Sequence, residues 1–145
     1  MRKLAPPAAL DSIRPVAEAE HARFLTPEEN AVFRGFGGRV VWLHLSGPIS
    51  FGAANEMTRR ISAVGDHQVM VIDLLDVPRV DGSAALAIEE IIQRAASAGQ
   101  EVIIVGLNFA VARLLIEIGA LDKVKDTSRF ATRAEALSSA QTMLS

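Results

Sequence analysis

The sequence predicts an α/β domain built on one mixed sheet, and three observations carry that prediction. The runs Val69–Leu75 and Val102–Val105 are almost wholly apolar, interrupted only by Asp73, as strands covered on both faces must be. Stretches with apolar residues at three- and four-residue steps alternate with them, as helices laid on a sheet would. Glycines, prolines and helix-capping residues separate the two kinds of segment at short intervals. A chain of 145 residues fits one such domain, with no internal repeat.

In chain order, residues 1–17 hold Pro6, Pro7 and Pro15 among alanines and charges and read as a tether or poorly ordered arm, leaving 18–145 as the domain. Residues Glu18 to Thr26 admit a short first strand. Thr26-Pro-Glu-Glu29 then opens a helix, with Thr26 as N-cap, Pro27 at the first helical position and Glu29 completing a capping box. Gly35-Phe-Gly-Gly38 ends it. Arg39–Ser46 is a strand with Val41, Leu43 and Leu45 on one face and Val40, Trp42 and His44 on the other. His44 on that mixed face reads as a structural histidine half-covered by Trp42 or a neighbouring strand. Gly47-Pro48 closes the strand and Ile49–Gly52 forms a second turn. Ala53, Ala54, Met57, Ile61 and Val64 then mark an amphipathic helix that Gly65 stops.

After Val69–Leu75 comes a loop around Pro78, then a helix beginning near Ser83 and running to about Ala98. Its apolar face comprises Ala84, Ala85, Ile88, Ile91, Ile92 and Ala95, and Gly99 suits the position past its end. Val102–Val105 follows, then a helix capped by Asn108 and ended by Gly119. An extended piece near Arg129-Phe130 precedes Thr132-Arg-Ala-Glu135, a capping box that opens the last helix.

Composition narrows the function. Net charge is only -2, so no basic stripe invites nucleic acid. With no cysteine there is neither a disulfide framework nor a thiolate ligand or nucleophile. His21, His44 and His67 show no metal-ligand spacing, and no metal site is expected. Mean hydropathy is positive, but the most apolar stretch, Val102–Leu121, contains Asn108, Arg113 and Glu117, and a strand followed by a helix accounts for it better than a membrane span. Met1–Pro7 lacks the apolar core of a signal peptide. The expectation is a soluble domain of a reducing, cytoplasmic compartment.

Enzyme signatures are absent. Gly35-x-Gly-Gly precedes a strand, so it is not a dinucleotide fingerprint; GxxxxGK[ST] does not occur, and Ser83 lacks the glycine frame of a nucleophile elbow. Asp76 reads as a turn former and Asp81 as an acceptor for backbone N–H groups at the helix start. Ser83 reads first as an N-cap. The same geometry would also hold a phosphate on Ser83 at the positive end of the helix dipole, so a phosphoswitch stays open beside it.

These residues also carry a family resemblance. Asp73-Leu-Leu-Asp-Val-Pro-Arg-Val-Asp-Gly-Ser-Ala-Ala-Leu86 resembles the central signature of STAS domains, an acidic strand end, an apolar-Pro loop, then Asp-Ser-Ser/Thr-Gly-Leu. Leu45-Ser-Gly-Pro-Ile-Ser-Phe-Gly-Ala-Ala54 is similar to a segment typical of the STAS domains of SulP anion transporters. The resemblance spans about residues 18 to 143. It implies a mixed sheet of roughly four to five strands with about four helices mainly on one face, and no catalytic activity.

It further implies a regulatory, protein-interaction role for a sulfate or bicarbonate transporter. The domain would lie at the inner face of the membrane, with the transporter's membrane domain, cytosolic regulators or a second copy as partners. A free-standing anti-sigma factor antagonist, phosphorylated at Ser83 by a kinase-type anti-sigma factor, is the alternative. Here Gly82 stands where that signature has a serine and Ala84 where it has glycine. A third reading is a small-ligand or nucleotide sensor, with weak nucleotide binding in place of a resident cofactor. The interaction loops on any of these readings are Gly47, Pro48, Ser50, Phe51 and Gly52 together with Asp81, Gly82, Ser83 and Ala84.

Overall fold

The computed structural model describes residues 13–16, 24–47, 56, 59 and 67–145. Its elements are β1 (Ile13–Val16), α1 (Pro27–Arg34), β2 (Val40–Ser46), β3 (Val69–Asp76), α2 (Gly82–Ser97), β4 (Glu101–Val105), α3 (Phe109–Glu117), a 3-10 turn (Asp126–Ser128), β5 (Arg129–Phe130) and α4 (Arg133–Leu144). The strands lie side by side in sequence order. β1 runs antiparallel to β2, and β2 to β5 run parallel. A parallel neighbour requires a crossover, and α2 and α3 supply it between β3, β4 and β5.

The central strands β2, β3 and β4 are apolar on both faces, so each face needs a cover. Leu43, Leu45, Met70, Ile72, Leu74, Val102 and Ile104 meet Ile88, Ile91 and Ile92 of α2 and Val111 and Leu115 of α3. On the reverse face Val40, Trp42, Val69, Val71, Ile103 and Val105 meet Phe33 of α1 and Ala136, Leu137 and Ala140 of α4. Among the described residues α2 and α3 cover one face and α1 and α4 the other. Buried on both sides, β3 and β4 could not tolerate a bare face, because each fully buried Val, Leu or Ile contributes about 1.5–3 kcal/mol.

Local signals set the helix ends. Thr26 and Glu29 exchange the two bonds of a capping box ahead of α1, and Thr132 and Glu135 do so ahead of α4. The Asn108 side chain accepts from Val111 N–H to start α3. Gly99, with φ +79°, follows the C-cap of α2 as expected.

The N-terminal reading needs correction. A strand, β1, occupies Ile13–Val16, within the stretch expected to be a tether or poorly ordered arm, and its residues pair with Trp42 to Leu45. As the edge strand it accommodates Pro15, whose missing N–H argues against a central strand and disguised it in the sequence. The strand expected over Glu18 to Thr26 does not extend to its end: Phe24 and Leu25 form a turn and Thr26 caps α1, while residues 17–23 lie outside the described residues. The turn at Ile49–Gly52 also lies outside them, as does the helix expected from Ala53 to Val64 apart from Glu56 and Arg59, which are helical.

Candidate functional site

The parallel strands β2, β3 and β4 end on one edge of the sheet, and the expected site residues leave from there. Gly47 follows β2 and donates its N–H to the carbonyl of Asp76, the last residue of β3, at 3.0 Å. The loop after β3 is fixed from beneath: Val77 and Val80 are buried in the core while Pro78 and Arg79 face outward. It is also fixed from the side, because Asn108 Nδ2 donates to the carbonyls of Val77 and Pro78 at 3.0 and 3.1 Å. The same side chain thus caps α3 and clamps the loop before α2.

At the start of α2 the capping residue is Asp81. Its Oδ1 accepts from Ala84 N–H at 2.7 Å, and the helix begins at Gly82. Ser83 is therefore not the N-cap; it is the second helical residue, and it is exposed. Aspartate satisfies the free N–H groups of the first turn as well as serine does and adds a charge suited to the dipole. Ala84 is fully buried and faces the core, so it cannot belong to an exposed interaction loop. The structure thus brings Gly47, Asp81, Gly82 and Ser83 to one edge; Pro48, Ser50, Phe51 and Gly52 lie outside the described residues. Leu75 near the end of β3, Leu86 on the second turn of α2 and Phe109 at the start of α3 are exposed apolar side chains.

Beside this edge lies a polar junction that sequence reasoning missed. Asp73 is fully buried in β3. Its carboxylate accepts from Trp42 Nε1 at 3.0 Å, Arg133 Nε at 2.6 Å and Leu75 N–H at 3.1 Å. Arg133 also donates through Nη2 to Asp76 Oδ2 at 2.7 Å. His44 Nε2 lies 3.0 Å from the same oxygen, and because a carboxylate only accepts, Nε2 is the donor. The His44 ring stacks on Phe24, with centroids 4.2 Å apart and planes 7° from parallel.

The hydrogen bond from His44 holds Asp76 below the ordinary carboxylate range; burial opposes this and Arg133 reinforces it. For Arg133 burial works to lower the pKa, but Asp73 and Asp76 outweigh it and hold the guanidinium above its ordinary value. Asp76 is thus not merely a turn former, and His44 is half-covered as expected, its ring stacked on Phe24 and bonded to Asp76 of the neighbouring strand β3. The available signal was Asp73 itself, since an acid inside an apolar strand demands a partner. Its partner is 60 residues away, and spacing gives no hint of that distance.

Among the described residues no cluster of three or more His, Cys, Asp or Glu side chains could hold a metal ion, and no helix is long and apolar enough to cross a membrane.

Comparison with known proteins places these features in context. A model of the STAS domain matches residues 36–136. The bicarbonate transporter BicA of Synechocystis sp. is 32% identical over 129 residues, covering 89% of this chain; the chain spans 23% of that transporter's length. The solved STAS domain of a SulP transporter from Vibrio cholerae superposes with a TM-score of 0.57 at 23% identity, covering 87% of this chain and 91% of that one. The anti-sigma factor antagonist SpoIIAA in its unphosphorylated form superposes with a TM-score of 0.61 at 15% identity, covering 72% of this chain and 90% of that one. These two likenesses show the fold.

Proposed function

The chain belongs to the STAS domain family, and from that premise we propose that it is the regulatory, protein-interaction module of a SulP-type anion transporter. In this role it is non-enzymatic and sits at the inner face of the membrane. The similarity to BicA over nearly the whole chain carries this reading. The edge bearing Gly47, Asp81 and Ser83 is its docking surface, with Leu75, Leu86 and Phe109 supplying exposed apolar area. The binding partners are the transporter's own membrane domain and cytosolic regulators, and the transported anion is bicarbonate or sulfate.

The test is uptake of labelled bicarbonate and sulfate by cells expressing the complete reading frame. Reversing charge at the edge with Asp81→Lys, or adding bulk with Gly82→Trp, should change uptake while the protein still reaches the membrane. A reading frame with no membrane domain, or uptake indifferent to both changes, would sink the proposal.

A second reading, a phosphorylated antagonist of an anti-sigma factor, is favoured by one observation. Ser83 presents an exposed hydroxyl in the first turn of a 16-residue helix, where a phosphate would meet the positive end of the dipole. A kinase-type anti-sigma factor should then add one phosphate that Ser83→Ala abolishes; labelling that survives the substitution excludes this reading.

A further inference from the structure

Arg133 touches separate stretches of chain at the same edge of the sheet. It bonds Asp73 within β3 and Asp76 at its end. Its Nη1 lies 3.4 Å from the Phe24 carbonyl, ahead of α1, and its Cζ lies 5.3 Å from the Phe24 ring centroid. Phe24 stacks on His44 of β2, and His44 returns to Asp76. The contacts close a ring, Arg133 to Phe24 to His44 to Asp76 and back, with buried Asp73 as its anchor.

Three features make the ring a junction rather than more core. The register between β2 and β3 shifts between His44 and Ser46, so the backbone ladder is interrupted where the ring lies. The Asp76 side chain is 47% exposed while that of Asp73 is at 0%, so Arg133 bonds one fully buried partner and one at the solvent boundary. The carbonyl of Asp76 carries the Gly47 N–H, which joins the ring to the loop leaving β2.

We propose that this ring is a conformational latch. Phe24, the end of β2 and Gly47 open together as one unit, and Arg133, anchored on Asp73, keeps them closed. Segments held by partly exposed polar contacts open ahead of an apolar core, and here the neighbouring Val71 and Ile103 are fully buried. Opening links the entry to α1 with the edge at Gly47, so a partner seated at that edge shifts the segment before α1. The latch stands on the geometry alone and does not depend on which partner docks.

Amide hydrogen exchange of the whole chain tests it. Phe24→Ala removes the stack and leaves the ion pairs of Arg133 intact. The latch requires exchange to rise together, on the order of tenfold, at Gly47 and at Asn30, whose N–H bonds the Thr26 carbonyl. Val71 and Ile103 should stay protected. Arg133→Lys, which keeps the charge but loses the forked geometry, should give the same pattern. A rise confined to α1 with Gly47 unchanged overturns the proposal. So does equal acceleration at Val71 and Ile103, which would mean that nothing opens separately. Should Arg133→Lys fail to fold, Phe24→Ala decides alone.

Discussion

Arg133 Nε lies 2.6 Å from Asp73 Oδ2, and that carboxylate is completely enclosed. A charge so placed is tolerable only because its oxygens are bonded to Arg133, Trp42 and the backbone of Leu75. Removing one partner of a buried ion pair costs about 3–5 kcal/mol, since the other charge is left stranded. Arg133→Met should therefore lower the unfolding free energy by about that amount in urea denaturation. Pairing it with Asp73→Asn should recover part of the loss, and a double variant no more stable than the single would contradict this account.

The acid limb of the stability curve should report Asp76. Its folded-state pKa lies below the ordinary 3.8, so as pH falls the unfolded chain takes up the proton first. The stabilisation from this carboxylate is complete above the unfolded value and disappears as pH drops through the folded one. Below about pH 4 the wild-type should lose stability more steeply than Asp76→Asn, which has no proton to gain there. Parallel curves in denaturation series between pH 2 and 6 would show that Asp76 is not the group responsible.

Capping of α2 separates Asp81 from Ser83. Asp81→Ala should cost about 1 kcal/mol by removing the acceptor for Ala84 N–H. Ser83→Ala, at an exposed second helical position, should stay within about 0.5 kcal/mol. Thermal melts of the two variants give the comparison, and the reverse ranking would restore the serine as the cap.

Gly106 is a position where only glycine fits. Its φ is +76°, and a Cβ there would stand 2.5 Å from the Leu75 Cα, a backbone atom that cannot step aside. Gly106→Ala should destabilise the domain by at least about 1–3 kcal/mol, combining backbone strain with the clash. A melting temperature equal to wild-type would mean that the β3 and β4 ends are looser than the structure shows.

Most of the element order was legible because its causes are local. The apolar runs Val69–Leu75 and Val102–Val105, the capping boxes at Thr26 and Thr132 and the cap at Asn108 all act within a few residues, so the amino-acid order contains both partners of each interaction. The cap of α2 was ambiguous for a local reason too: Asp81 and Ser83 are both good acceptors, and only the backbone path decides which stands at the cap. β1 was hidden because Pro15 and its short span resemble a tether until β2 pairs with it.

The sequence by itself determined an α/β domain with its acidic strand end, its loop at Pro78 and the helix that follows, because periodicity and capping are properties of neighbouring residues. Only the tertiary structure decided which helices cover which face, that Asp81 rather than Ser83 caps α2, and that Phe24, His44, Asp73, Asp76 and Arg133 meet. The physical reason is range. Burying Asp73 creates a demand that any distant cation could meet, and the packing of α4 on the sheet, not the spacing of residues, delivers Arg133 to it.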